Sequence, residues 1–254
     1  MNRGVLRKEL VDEVFAESCQ QGEIKEDILN MMEQFGLIVK FESSLGYHYF
    51  VPSLLRSQPE QLWRMEPSPP DPCPLYIHFR GGFVPHGLYS QLVSRCSSWC
   101  TRSGFKRLPD LFNGTSAFFI EKEIIHQLIL ICRKRSIKVI LTKMNSDIDA
   151  SLAERKEVTC LVRIFLEETL EDLSYEFPWL HNLKFEMYAL CPFCQKEQDV
   201  CRNHRQISCT HEDCLCLLIV RPGGRTGCCP KSGEITTLPG LEKWFPVEGE
   251  DIRV

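Results

Sequence analysis

The sequence predicts an α+β protein: a winged-helix unit, then an antiparallel sheet with covering helices, then a small cysteine-rich tail. Three observations carry this expectation. Apolar residues recur at helical spacing near the start and then give way to paired strand-like runs. A proline-dense segment follows at 66–74, and cysteine density rises abruptly after residue 190. The 254 residues include 34 acidic and 30 basic side chains and are 43% apolar, a globular rather than disordered or fibrous composition.

Leu6, Leu10, Val11, Val14 and Phe15 mark one face of a first helix. Ile28, Leu29, Met32 and Phe35 mark a second over 26–35, and Gly36 stands where a helix C-cap accepts a left-handed residue. Runs 37–41 and 47–51 read as strands joined by a hairpin turn at 42–46. Helix, helix and hairpin outline a winged helix, although a generic small α+β unit fits the same pattern. Segment 66–74, EPSPPDPCP, has five prolines in nine residues, which excludes a helix and removes backbone donors. The expected organisation is therefore a winged-helix unit at 1–65, a linker at 66–74, an α+β sheet domain at 75–190 and a cysteine-rich extension at 191–254.

Within the sheet domain, 75–79 reads as a strand and Leu88, Leu92, Val93, Cys96 and Trp99 as a helix face. Strands are expected at 116–120, 127–133 and 137–142, the last two antiparallel across the short turn Lys134-Arg135-Ser136. A further strand at 158–165 is followed by a helix carrying Leu166, Leu170, Leu173 and Phe177, ended by Pro178, and by a strand at 184–190.

Several functions are excluded by what the sequence lacks. No apolar run approaches the roughly 20 residues of a membrane span. The start intersperses charges among its apolar residues, unlike a secretory signal, so a cytoplasmic location is expected. A net charge of -4 gathers no nucleic acid, and 26–35 carries three carboxylates without Arg or Lys to meet phosphates. There is no G-x-x-x-x-G-K-[ST], no H-E-x-x-H and no G-x-S-x-G, so neither an enzyme nor a nucleotide site is expected.

Metal chemistry is the positive signal. Eight of the 14 cysteines and two of the seven histidines fall between Cys191 and Cys229, and a reducing compartment favours metal over disulfides. A structural Zn²⁺ needs four tetrahedral ligands, and Cys191-x-x-Cys194 supplies two from one turn. Cys209 and Cys228 are expected to complete the set, with His204, His211, Cys214 and Cys229 as alternates. Disulfides and unligated thiols remain the competing readings.

Two stretches, FGLIVKF…YFVPSLL in the first unit and FVPHGLYSQLVSR opening the second, together resemble the COR (C-terminal of Roc) domain of Roco-family proteins, in the branch that lacks a kinase. The likeness spans residues 4–190, and the C-x-x-C pair after it matches the family's tail. It implies a COR-A part with a winged-helix core that docks on a Roc-type GTPase domain of the parent chain, and a COR-B part that makes a homodimer contact. The GTPase motifs themselves are missing here. The expected function is thus a non-enzymatic interaction and dimerisation module that regulates a Roc domain or scaffolds signalling partners. Phe83, Leu88 and Leu92 and the basic turn Arg133, Lys134 and Arg135 are the expected contact residues, with burial against their own sheet an equal alternative for the first three. The rival function is a zinc-dependent nucleic-acid or ubiquitin-handling module built on 191–229.

Overall fold

A computed structural model describes the chain from Gly4 to Phe245 apart from residues 19–21, 44–45, 58–61, 63–64, 68–70, 103–106, 122–123, 145–151, 193, 195–203, 206–208, 210 and 221–225. Helices and antiparallel sheets make it α+β, as expected. Two units interleave along the chain: 1–65 with 85–129, and 66–84 with 130–254. No described helix is long and apolar enough to cross a membrane.

The first unit opens with β1 (Val5–Arg7), α1 (Lys8–Ser18), α2 (Gly22–Gln34), β2 (Val39–Ser43) and β3 (Gly46–Phe50). β2 and β3 form the expected hairpin, with Val39 opposite Phe50, and β1 adds to the other side of β3, giving the order β1-β3-β2. The first helix therefore starts at Lys8, because residues 5–7 satisfy their backbone groups on β3 instead. Val11, Leu29, Ile38 and Tyr49 form the core of this part, flanked by Leu6, Phe15, Met32 and Val51. The helical periods single out Val11, Phe15, Leu29 and Met32 among these, but Leu10, Val14 and Phe35, expected on the same faces, are exposed. α2 closes as its glycine predicts: Gly36 N–H donates to Glu33 O and Leu37 N–H to Met32 O, both at 2.9 Å.

The chain then leaves for the second unit, where β4 (Leu75–Phe79) lies, and returns as α3 (Leu88–Arg102), β5 (Asp110–Phe112) and β6 (Thr115–Glu121). α3 packs on β2 and β6. The Ser94 hydroxyl donates to the Lys40 carbonyl, and Tyr89 and Ser116 share a hydroxyl hydrogen bond of 3.0 Å. β7 (Ile125–Cys132) passes from this unit into the second.

In the second unit β8 (Ser136–Lys143), β4, β9 (Phe185–Leu190) and β10 (Leu217–Ile219) are neighbours in the order β10-β9-β4-β8, all antiparallel, with Leu75 between Val139 and Ala189. The end of β7 lies beside β8, and Arg133 N–H donates to Ser136 O at 2.8 Å across their turn. Leu75, Ile77, Ile137 and Val139 are buried, as are Tyr76, Lys138 and Ile140 on the opposite face. Burial of both faces is what the nearly unbroken apolar runs require. α4 (Leu152–Glu176) presents Val158, Val162, Leu166, Leu170 and Leu173 inward. Residues 158–165 are thus helical, not the expected strand. Their β-branched residues imitate a strand locally, but Val158 and Val162 extend the stripe of Leu166 and Leu170, and that longer period wins through packing.

Residues after 190 are built into this same unit. The turn Leu241–Lys243 packs on α4, and fully buried Trp244 donates its indole N–H to Cys73 O at 2.7 Å. Arg163 donates to Trp244 O at 2.8 Å, pairs with Glu167 and lies over the Phe245 ring. Gly240 is required here: its φ is +80°, and a Cβ would stand 3.0 Å from Cys73 N.

Lys138 is the most deeply buried charge among the described residues of the second unit. Its ammonium lies 2.6 Å from a Glu66 carboxylate oxygen that is half exposed. Burial lowers its pKa from the usual lysine value, and Glu66 opposes that shift. Removing only the carboxylate takes a charged partner from a buried cation, whereas removing the cation leaves an apolar stem among apolar neighbours. We expect Glu66→Gln to cost about 1–2 kcal/mol, discounted for the exposure of Glu66. Lys138→Met should cost less, and urea midpoints of the two variants check the order.

Candidate metal centre

The pairing of β10 with β9 sets Leu217 opposite Leu190 and Leu218 opposite Ala189. One step further along this ladder, Cys191 N–H donates to Cys216 O at 2.8 Å, so backbone register places those two cysteines side by side. Cys194 follows on the C-x-x-C turn. The fourth thiol arrives from a small hairpin of β11 (Thr226–Cys228) with β12 (Ile235–Thr237). Cys229 continues that hairpin, donating to Glu234 O and accepting from Gly233 N–H, both at 2.8 Å. Gly227 lets β11 pass close to β10, since a Cβ there would lie 2.9 Å from Leu218 Cδ1.

The ligand atoms of Cys191, Cys194, Cys216 and Cys229 all lie within 4.8 Å of one another. Cys194 and Cys229 sulfurs are 3.6 Å apart, and those of Cys216 and Cys229 are 3.8 Å apart. A tetrahedral ion with metal–sulfur bonds of about 2.3 Å requires sulfur–sulfur edges of about 3.8 Å. A disulfide would need about 2.05 Å, and every described cysteine is an unbridged thiol. The cluster is therefore compatible with a metal site whose four protein ligands leave no position open to a substrate.

The thiols are not equivalent. Burial pushes Cys194 up to about 11 and raises Cys216 as well. Cys229 moves the other way, to about 6, because the Ser232 hydroxyl and the Ser232 and Lys231 amides hydrogen-bond its sulfur. A bound cation would draw the protons from the remaining thiols.

The sequence expectations divide accordingly. Cys191 and Cys194 stand in the cluster as expected, but Cys209 and Cys228 do not. Cys229, an alternate, takes the place of Cys228, whose exposed thiol lies 3.5 Å from Gly233 O. Successive side chains of an extended segment point to opposite faces, so only one of this adjacent pair can reach the other three sulfurs. Cys216 was absent from the expected set. Its signal is the apolar run 217–220 that it precedes, the counterpart of Cys191 following β9. Cys209 gathers instead with the alternates His204 and Cys214 in a second group, while His211 stacks on His204 with ring centroids 4.1 Å apart.

The expected contact residues also divide. Leu88 and Leu92 are fully buried within their own fold, which corrects their reading as a partner surface. Arg133 is only 8% exposed and lies over the Tyr76 ring, so it is not part of an open basic turn. Arg135 is exposed but engaged: its amide donates to Glu212 at 3.0 Å and its guanidinium lies 3.6 Å from Asp213. Phe83 and Lys134 remain exposed.

Cys216→Ser should abolish metal binding at this cluster and lower the melting temperature, while Cys228→Ser leaves both unchanged. Elemental analysis and calorimetry of protein purified without chelator test the contrast between the two. No protein-family model and no curated protein matches this sequence.

Proposed function

We propose that the chain is a non-enzymatic interaction module of the COR type, which docks on a Roc-type GTPase domain through its first unit and on a second copy of itself through its second. The observation that carries this reading is an apolar stripe outside the core. Leu10 and Val14 lie four apart on α1, and Ile24, Met31 and Phe35 lie seven and four apart along α2 and just past its end. All are exposed, Phe35 at 71%. Leu29 and Met32, turned to one side of this stripe, already serve the core. A stripe that its own unit leaves uncovered fits a protein partner.

Other features agree. The sheet order β1-β3-β2 beside two helices is compatible with a winged helix and supports the reading. On α2, Lys25 is tied to Asp12, and Glu26, Asp27 and Glu33 face any approaching phosphate with like charge. In the second unit Tyr175 is 84% exposed, and Trp179 is exposed beside Phe177. Such aromatics anchor self-complementary contacts.

We assign Zn²⁺ to Cys191, Cys194, Cys216 and Cys229 in a structural role, since four thiolates in closed tetrahedral geometry suit that ion and leave it no open position. The ion would tie β10 and the β11–β12 hairpin to the end of β9. Thiols kept reduced for it suit a cytoplasmic location.

Titration of the chain against a purified Roc domain, loaded with GDP or a GTP analogue, tests the reading. Binding that Met31→Glu and Phe35→Glu each weaken by about ten-fold or more is the expected result. Absence of binding in both nucleotide states, together with a monomer mass that does not rise with concentration, would overturn it.

A further inference from the structure

We propose that the chain holds a second, chemically different Zn²⁺ site formed by His204 Nδ1, Cys209 Sγ and Cys214 Sγ, lying within the loop that the four-cysteine cluster closes. His204 Nδ1 is 3.4 Å from Cys214 Sγ and 3.6 Å from Cys209 Sγ, and the three ligand atoms lie within 4.8 Å of one another. With metal–nitrogen and metal–sulfur bonds of about 2.0 and 2.3 Å, the nitrogen–sulfur edge of a tetrahedron is about 3.5 Å. Both distances match that edge. A neutral thiol–imidazole hydrogen bond accounts for one such approach, but a single ring nitrogen has one lone pair and cannot accept from two thiols in this way.

Hydrophobic packing does not explain the group either. Cys209 and Cys214 are only half-buried, unlike Cys96 and Cys160, which sit in apolar interiors as small hydrophobic residues do. His211 is excluded as a ligand by its orientation. It stacks on His204 at an interplanar angle of 22°, so its in-plane lone pairs run alongside the ion instead of toward it, and its Nδ1 lies 3.8 Å from Asp213. The stack fixes the His204 ring plane, the role that outer partners play for metal-bound histidine.

The second ion has its own mechanical role. Cys214 ends the turn Glu212–Cys214, whose Glu212 carboxylate accepts from Arg135 N–H at 3.0 Å and from the Ser136 hydroxyl at 2.7 Å. Zinc on Cys214 thus holds this carboxylate under the β7–β8 turn. Two thiolates and an imidazole neutralise the ion, whereas four thiolates make the first complex anionic. With less charge and more exposure, the second ion leaves first.

Native mass spectrometry of the full chain, purified with reductant and without chelator, tests the site. The expected result is a second Zn²⁺ per chain. Cys209→Ser and Cys214→Ser should each remove one ion and spare the other, which Cys216→Ser removes. His204→Cys should keep both ions and, after Co²⁺ substitution, increase thiolate-to-cobalt charge-transfer absorption, a gain that a misfolded variant would not give. A single ion retained in Cys209→Ser and lost in Cys216→Ser would overturn the second site while leaving the first. A single ion with the reverse dependence would uphold the second and overturn the first, and no ion would overturn both.

Discussion

Antiparallel pairing of β10 on β9 does two jobs with one set of hydrogen bonds: it extends the sheet of the second unit, and it chooses which cysteines meet. The ladder from Leu218 opposite Ala189 to Cys216 opposite Cys191 leaves no freedom in that choice. A slip of one residue would turn buried Leu218 toward solvent and carry Cys216 away from Cys191 and Cys194. Sheet register and ligand choice therefore stabilise each other, which is why three short segments far apart in the chain can hold a tight sulfur cluster without a large core of their own.

The two units treat polar and apolar groups differently. The second unit buries a lysine within its sheet and restrains it with one carboxylate from the segment before β4, a costly arrangement that only the paired geometry tolerates. The first unit leaves apolar side chains on α1 and α2 outside its core. Neither feature follows from maximising the stability of the isolated chain.

Much of this was legible in the sequence. The periods of Val11, Leu29 and Met32, the glycine after α2 and the strands around Ile77, Leu130 and Val139 are local signals, and each corresponds to an element of the fold. Cys191 and Cys194 were legible for the same reason, because one turn supplies both. Cys216 was not, since only pairing with a strand remote in sequence brings it close. The choice between Cys228 and Cys229 depends on strand parity, which a three-residue strand barely advertises. Residues 158–165 misled because β-branched composition spoke for a strand, while the helix that contains them is decided by burial along its whole length. Leu88 and Leu92 have the same apolar character whether they face a partner or their own sheet, and no pattern within the helix separates the two.

Trp244 fills a need created by a residue 171 positions earlier. The prolines around Cys73 have no amide hydrogens, so this segment has few donors of its own for a carbonyl drawn into the interior. The indole supplies one. During synthesis the strand after this segment emerges long before the tryptophan does, and the Cys73 carbonyl must meanwhile keep its water. The corner around Cys73 thus closes only when the turn carrying Trp244 docks on it, so the drying of this part of the interior depends on a segment far downstream.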